Sequence, residues 1–451
     1  MPLHPKVVTY KNFNGLNNNQ NPENTPVNYL KKALNVNIDK TGNVSKRKGY
    51  TKVITGSFTS LWASPSGNGC YAVLEGNLIK INYDYTYSTL LNNVGIDKLS
   101  FEEVDNIIYF SSVSYNGIIE NGTLKTWGLS KNLIKPILSV TTGSLLEGIY
   151  QVSFTYVRND GIESGVSEST KITIPINSGI TLNIPSINDS SILYARIYCS
   201  TQNGSTLYYS GTSTIGSNYT INTISNLSNP LRLFNLDAAP TGHIVRYYRG
   251  RIYIASDNIL WYSEPLQYQH FRLNSNYIEF PTRIKEIMPV EDGIWIGSDR
   301  LYFLSGDEPT QFKRIIKDNI KIVEGTATIV SSSYNLEGTD QGSNAGSPAE
   351  YKWLVTSNIG ILSLNNSNQS SNLTVQNVEL EQSLLGTSLF LQEAGRNQYL
   401  SILKTNNTPN NSVVGDLVET SIVRNERVFH DAFGIGDAIV VVQRRNGIII
   451  P

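Results

Sequence analysis

Two cysteines, two methionines and four histidines are all that this 451-residue chain holds of the residue types that bind soft metals or do thiol chemistry. Cys70 and Cys199 stand far apart, each inside an apolar, strand-like run, which predicts two buried free thiols and requires no oxidising compartment. His4, His243, His270 and His430 never share one element with a second histidine or a carboxylate at ligand spacing, so no metal centre is expected. Charge is scarce as well. Only 16% of residues are charged, 36 basic against 37 acidic, and the net charge of −1 argues against a surface that seeks nucleic acid or anionic lipid as a whole. No run approaches the roughly 18 consecutive apolar residues that cross a bilayer. The opening MPLHPKVVTYKNFNGL also lacks the apolar stretch of a signal peptide. Assembly in a cytoplasm, without stable membrane insertion, is the expectation.

What the chain has in quantity is tyrosine, 26 residues of it, with Asn, Ser, Gly and Thr crowding the gaps between apolar runs. That is the composition of many short strands joined by turns. A hairpin pattern recurs: GCYAVLEGNLIKIN at 69–82, RIYIASDNILWYSEP at 251–265, IWIGSDRLYFLSG at 294–306 and KWLVTSNIGILSL at 352–364, with a looser copy across 106–127. Tyr71, Val73, Leu78, Ile79 and Ile81 in one copy, and Ile107, Tyr109, Leu124 and Trp127 in another, form alternating or continuous apolar runs suited to sheets packed on both faces. A repeated hairpin at variable spacing is what a radial array of small antiparallel sheets leaves in sequence. The fold class read from this is all-β, a β-propeller. Five clear hairpins and one further candidate, GRNQYLSILKT with the terminal DAIVVVQRRNGIIIP, predict six blades.

The repeat is interrupted once. Residues 133–232 carry strands at intervals of roughly 8–15 residues with turn signals between them, the spacing of an immunoglobulin-like or fibronectin-like β-sandwich inserted into a propeller loop. The expected organisation is an extended Asn/Pro-rich arm at 1–33, propeller at 34–132, the sandwich at 133–232, propeller at 233–410, and a segment at 411–451 that closes the last blade. The turn at 40–43 should open the propeller with Gly42 and Asn43 at positive φ. The stretch at 331–350 reads as a long surface loop.

Chemistry has few anchors here. Glu102, Glu103, Asp292, Asp299, Asp307 and Glu308 flank turns, where carboxylates hydrogen-bond the backbone or face water. The Ser-x-Asp-x-Gly-x-Thr-Trp repeat of sialidase blades is missing from SDNILWYS at 256–263, and neither WD, paired-glycine nor phosphate-loop signatures occur. No catalytic residue and no cofactor is expected, and the chain is read as not an enzyme. Basic residues cluster locally: Lys46, Arg47 and Lys48; Arg246, Arg249 and Arg251; Lys313 with Arg314; Arg444 with Arg445. Solvated strand edges that resist unwanted pairing account for such clusters, and contact with phosphates or an acidic partner is the alternative.

The opening FNGLNNNQNPENTPVNYLKKALNVNIDKTGNVSKRKGY, the insert's IYQVSFTYVRNDGIESGVSE and ARIYCS, and RGRIYIASDNILWYSEPLQYQHF resemble the tail hub or nozzle proteins of short-tailed, podovirus-type bacteriophages. The resemblance implies a structural virion protein of the tail. Such a protein is a ring, expected to hold six copies, beneath the portal–adaptor complex; it extends the DNA channel, helps retain and eject the genome, touches that DNA transiently, and offers attachment to tail fibres or a plug. Lys46, Arg47 and Lys48 match the basic end of the opening motif, and Arg249 and Arg251 the later one, so these five are the candidate partner or channel contacts. Two other classes compete. A host-receptor adhesin would use tyrosine-rich loops for glycan stacking, and a glycan-cleaving propeller enzyme would bring carboxylates together in the central pocket.

Overall fold

The computed structural model describes residues 54–331 without interruption, and outside that range residues 12–18, 20–31, 36–38, 41–46, 351–366, 368–374, 383–393, 396–405, 441–443 and 448–450. The protein is an all-β β-propeller with an inserted β-sandwich. Five blades are antiparallel sheets whose strands follow one another in chain order. Their first strands are Phe58–Ala63, Ser100–Val104, Ile244–Tyr248, Glu286–Val290 and Thr328–Ser331. The third blade carries a fifth strand, because Ile259–Glu264 pairs with both Gln267–Phe271 and Tyr277–Glu279. Two further hairpins are separate two-stranded sheets. Ser383–Glu393 with Arg396–Thr405 lies against the fifth blade, and the last strand of Val441–Gln443 with Ile448–Ile450 lies against the first.

The second strand of a blade is buried along most of its length, and at every position in Cys70–Leu74 and Gly293–Gly297, which is why these strands read as nearly unbroken apolar runs. Side chains that alternate across the pleat go to different neighbours. Tyr71 and Val73 meet Phe101, Ile108 and Phe110 of the second blade, whereas Cys70, Ala72 and Leu74 face the other way. Trp295 and Phe303 meet Trp353 and Leu362 of the fifth blade, whereas Ile294 and Ile296 meet Tyr253 and Leu260 of the third. Both cysteines are buried and unpaired, and burial pushes each thiol up to about 12, so neither is a ready nucleophile.

The insertion leaves the propeller at Trp127 and returns at Ala239, whose amide donates to the Trp127 carbonyl at 3.1 Å. Gly128, just beyond, has φ +84°, and a Cβ there would overlap the Gln269 carbonyl oxygen. Only glycine lets the chain turn out of the blade this close to its neighbour. The insert is a seven-stranded sandwich. Ile137–Leu145, Ser178–Asn183 and Asn218–Ile221 form one sheet, and Thr170–Ile174, Gly148–Arg158, Ile192–Ser200 and Leu207–Ser213 the other. Tyr150, Phe154, Ile180, Leu182, Ile197 and Cys199 fill the space between them.

Two details differ from the sequence reading. The described part of the arm doubles back on itself, with Leu30 donating to Gly15 and Asn17 to Leu30, and Phe13 bonds to Gly42 of the following hairpin. Gly42 takes positive φ in that turn, whereas Asn43 does not. The loop expected at 331–350 and most of the segment at 411–451 fall outside the described residues.

Candidate functional site at the propeller axis

Three first strands, Ser100–Val104, Ile244–Tyr248 and Glu286–Val290, lie side by side around the axis. Each brings one charged side chain to the axis: Glu102, Arg246 and Glu286. Glu102 is half-buried. Burial pushes its carboxyl up to about 7, against the pull of the Arg246 guanidinium and the Tyr247 amide. Glu286 is 4% exposed and accepts the Gly325 amide at 2.6 Å. Burial raises its pKa too, opposed by Arg246 and Lys98.

Arg246 is the hub. Its Nη1 donates to the Val245 carbonyl at 2.8 Å, its guanidinium lies 5.6 Å over the Trp353 ring, and its buried Nε has no hydrogen-bond partner. Trp353, from the fifth blade, donates its Nε1–H to the Pro289 carbonyl at 2.6 Å. Four blades therefore meet through one cation, two carboxylates and one ring. Lys98, just before the first strand of the second blade, holds its ammonium 3.3 Å from where a Cβ on Gly325 would stand. Beside it Arg283 pairs with Glu324 at 3.1 Å. His243 donates Nε2–H to the Ile284 carbonyl at 2.6 Å, leaving Nδ1 buried and unpartnered, and burial lowers its pKa so that the ring stays neutral. The second carboxylate of the Glu102–Glu103 pair points to another task. Burial works against its charge, but donors from Ser64 (2.6 Å), Ser66 (2.5 Å) and Asn68 (2.6 Å) outweigh that and lower the Glu103 pKa, which ties a first-blade loop to the second blade.

The axle makes stability depend on pH with a definite sign. A carboxyl whose folded pKa is raised binds more protons folded than unfolded between about pH 4.5 and 7, so its contribution to stability falls as pH rises through that window. Glu102→Gln should therefore stabilise the protein at pH 8 by about 2 kcal/mol, solvent access to the site being allowed for, and by far less near pH 4.5. Thermal melts of both proteins at pH 5 and pH 8 check this. Equal differences at the two values would show that Glu102 titrates normally.

The five residues singled out from sequence are elsewhere. Lys46 is exposed on the strand Val44–Lys46, opposite Val36, and Arg47 and Lys48 lie outside the described residues. Arg249 occupies the first position of a two-residue turn at φ +44°, where its guanidinium pairs with Asp307 and donates to the Glu291 carbonyl at 2.6 Å. Arg251 pairs with Glu308 at 3.0 Å, donates to the Ser263 carbonyl at 2.7 Å and lies over the Tyr262 ring. Both arginines thus fasten the third blade to a loop of the fourth. Glu102, Arg246 and Glu286 were not singled out as a site by sequence. The signal present was a lone charge inside an apolar strand, Arg246 within IVRYY. Among the described residues, no three His, Cys, Asp or Glu side chains converge as metal ligands would.

No family model matches the chain, and no curated protein matches it in sequence. Matches to solved structures are of low similarity. The structure of BBS1N in complex with ARL6DN, soaked with lead, is 10% identical with a TM-score of 0.31, over 79% of this chain and 94% of that chain. A catalytically inactive virginiamycin B lyase from Staphylococcus aureus with quinupristin is 9% identical with a TM-score of 0.27, over 77% of this chain and 96% of that one. Likenesses this distant leave function to the chain's own residues.

Proposed function

We propose that this chain is a structural subunit of the tail of a short-tailed bacteriophage, forming a nozzle or hub ring beneath the portal–adaptor complex. The observation that carries the reading is the interrupted propeller. A complete sandwich leaves and re-enters one inter-blade connection at Trp127 and Ala239, in a chain whose opening and hairpin motifs resemble that family. Exposed apolar residues on the insert and its stem, Leu133, Ile137, Ile149, Ile176 and Leu193, support a role in partner contacts. A ring needs two different surfaces on each copy whose rotation closes, and an appended domain supplies area without disturbing the blades. The nearly balanced charge suits a wall along which DNA slides, since each neutralised phosphate would add grip.

Light scattering on the purified chain, alone and mixed with portal and adaptor proteins, tests this. A mass of about six copies, alone or with the adaptor, is the expected result. A monomer that ignores both partners overturns it.

A further inference from the structure

On the outer face of the insert's four-stranded sheet lies a cleft of about 710 Å³, walled on one side by residues 229–233. Tyr194, Arg196 and Tyr198 share this face because Ala195, Ile197 and Cys199, between and beyond them, are in the sandwich core. Arg196 is set in place from below. Its Nη1 donates to Glu163 Oε2 at 2.5 Å, and Glu163 Oε1 accepts from Thr155 at 2.5 Å and from Tyr198 at 2.7 Å. The carboxylate side chain is 9% exposed, whereas that of Arg196 is 38% exposed. The buried acid thus orients the guanidinium and leaves much of it open to the cleft. Arg232, on the opposite wall, is exposed, so two guanidiniums stand against one carboxylate and the cleft is net cationic. The half-buried rings of Tyr194 and Tyr209 and the polar ends of Thr212 and Asn229 complete the lining.

From this geometry we infer that the cleft binds a carboxylate-bearing sugar, a site that does not depend on ring formation. Planar guanidinium forks match carboxylates, tyrosine faces match the C–H faces of a pyranose, and the volume falls within the usual range for small-ligand sites. An acidic peptide fits less well. An extended peptide draws on main-chain groups of a free strand edge, and the edge beside the cleft is already occupied at Leu207 and Tyr209. Tyr209 donates to Asn229 at 3.1 Å, Ser228 to Tyr209 at 3.1 Å and Leu231 to Leu207 at 2.8 Å.

The test is calorimetric titration of the full chain with N-acetylneuraminic acid, glucuronic acid, glucose and an Asp/Glu-rich peptide. At least one acidic sugar should bind with a Kd of about 5 mM or tighter, and glucose about tenfold more weakly. Arg232→Met, at an exposed position that should leave the fold unchanged, should weaken the acidic sugar about tenfold. Tyr194→Ala should weaken it independently of charge. The inference is overturned if neither acid binds below about 20 mM, if Arg232→Met leaves affinity unchanged, or if only the acidic peptide binds.

Discussion

Trp127→Ala is expected to destabilise the propeller by about 3–5 kcal/mol, the range for truncating a large buried aromatic. Trp127 is 1% exposed and sits where the second blade, the third blade and the stem of the insert converge. Its ring centroid lies 5.1 Å from that of Tyr109 and 6.2 Å from that of Phe271, the latter edge-on. Its Nε1–H donates to the Tyr268 carbonyl at 2.8 Å. Alanine would leave a cavity and also take away the hydrogen bond to the partly buried Tyr268 carbonyl. Trp127→Phe retains most of the ring and should lose only about 1–2 kcal/mol. Because propeller and sandwich have separate cores, unfolding is best followed in urea by probes in each. The propeller transition should shift to lower urea and the sandwich transition should hardly move. A loss below about 1 kcal/mol in Trp127→Ala would mean the seam repacks around the hole.

Arg158→Met should cost about 3–5 kcal/mol at neutral pH, and the loss should fall on the attachment of the sandwich. The Arg158 side chain is 2% exposed. Its guanidinium holds Asp160 through two bonds of 2.9 Å, the Thr126 carbonyl at 2.9 Å, the Thr126 hydroxyl at 2.8 Å and Gln269 Oε1 at 2.9 Å. One side chain of the insert thereby fastens blades two and three. Methionine preserves the length of the stem but strands Asp160 with Lys125, 3.2 Å away, as its remaining ion-pair partner. The pH dependence identifies the mechanism. Burial opposes the Asp160 charge, yet Arg158 and the other donors overcome it and lower the pKa to about 2. A depressed carboxylate pKa gives stability that is present above the unfolded value near 4 and lost as pH falls toward 2. The gap between wild type and Arg158→Met should therefore be widest above pH 4 and narrow below it. Adding Asp160→Asn to the variant should recover part of the loss, since the carboxylate left with Lys125 alone is then removed. Hydrogen exchange at the Thr126 and Gln269 amides, read beside the melts, would locate the loosening. A cost that does not vary with pH would remove the ion pair as its cause.

Much of the fold was legible in the chain. The runs at 69–82, 251–265, 294–306 and 352–364 became paired strands of four blades, and the looser copy at 106–127 a fifth, because a strand buried on both faces has almost no choice of residue. Turn chemistry was equally local. Glu75–Gly76, Asp105–Asn106 and Asn121–Gly122 take the positive φ pairs that two-residue hairpins require. The break in periodicity at 133–232 gave the insert, whose strands run from Ile137 to Ile221, although its stem reaches further, to Trp127 and Ala239.

The sites were not legible in the same way. Glu102 and Glu103 are neighbours beside a turn and look alike in sequence. The pleat sends one to the axis, where burial brings its pKa to about 7, and the other to the hydroxyls of Ser64 and Ser66. Arg246, Arg249 and Arg251 look like one basic patch, yet the first is the hub of the axis and the other two cross-link blades. The sequence by itself determined which residues form strands, where they turn and which segment is inserted, since these follow from short-range periodicity and backbone preference. Only the tertiary structure decided that Glu102, Arg246, Glu286 and Trp353 meet, and that Glu163 fixes Arg196 in a cleft. Alternation assigns a side chain to a face of its sheet, but the order in which blades close around the axis decides what that face meets.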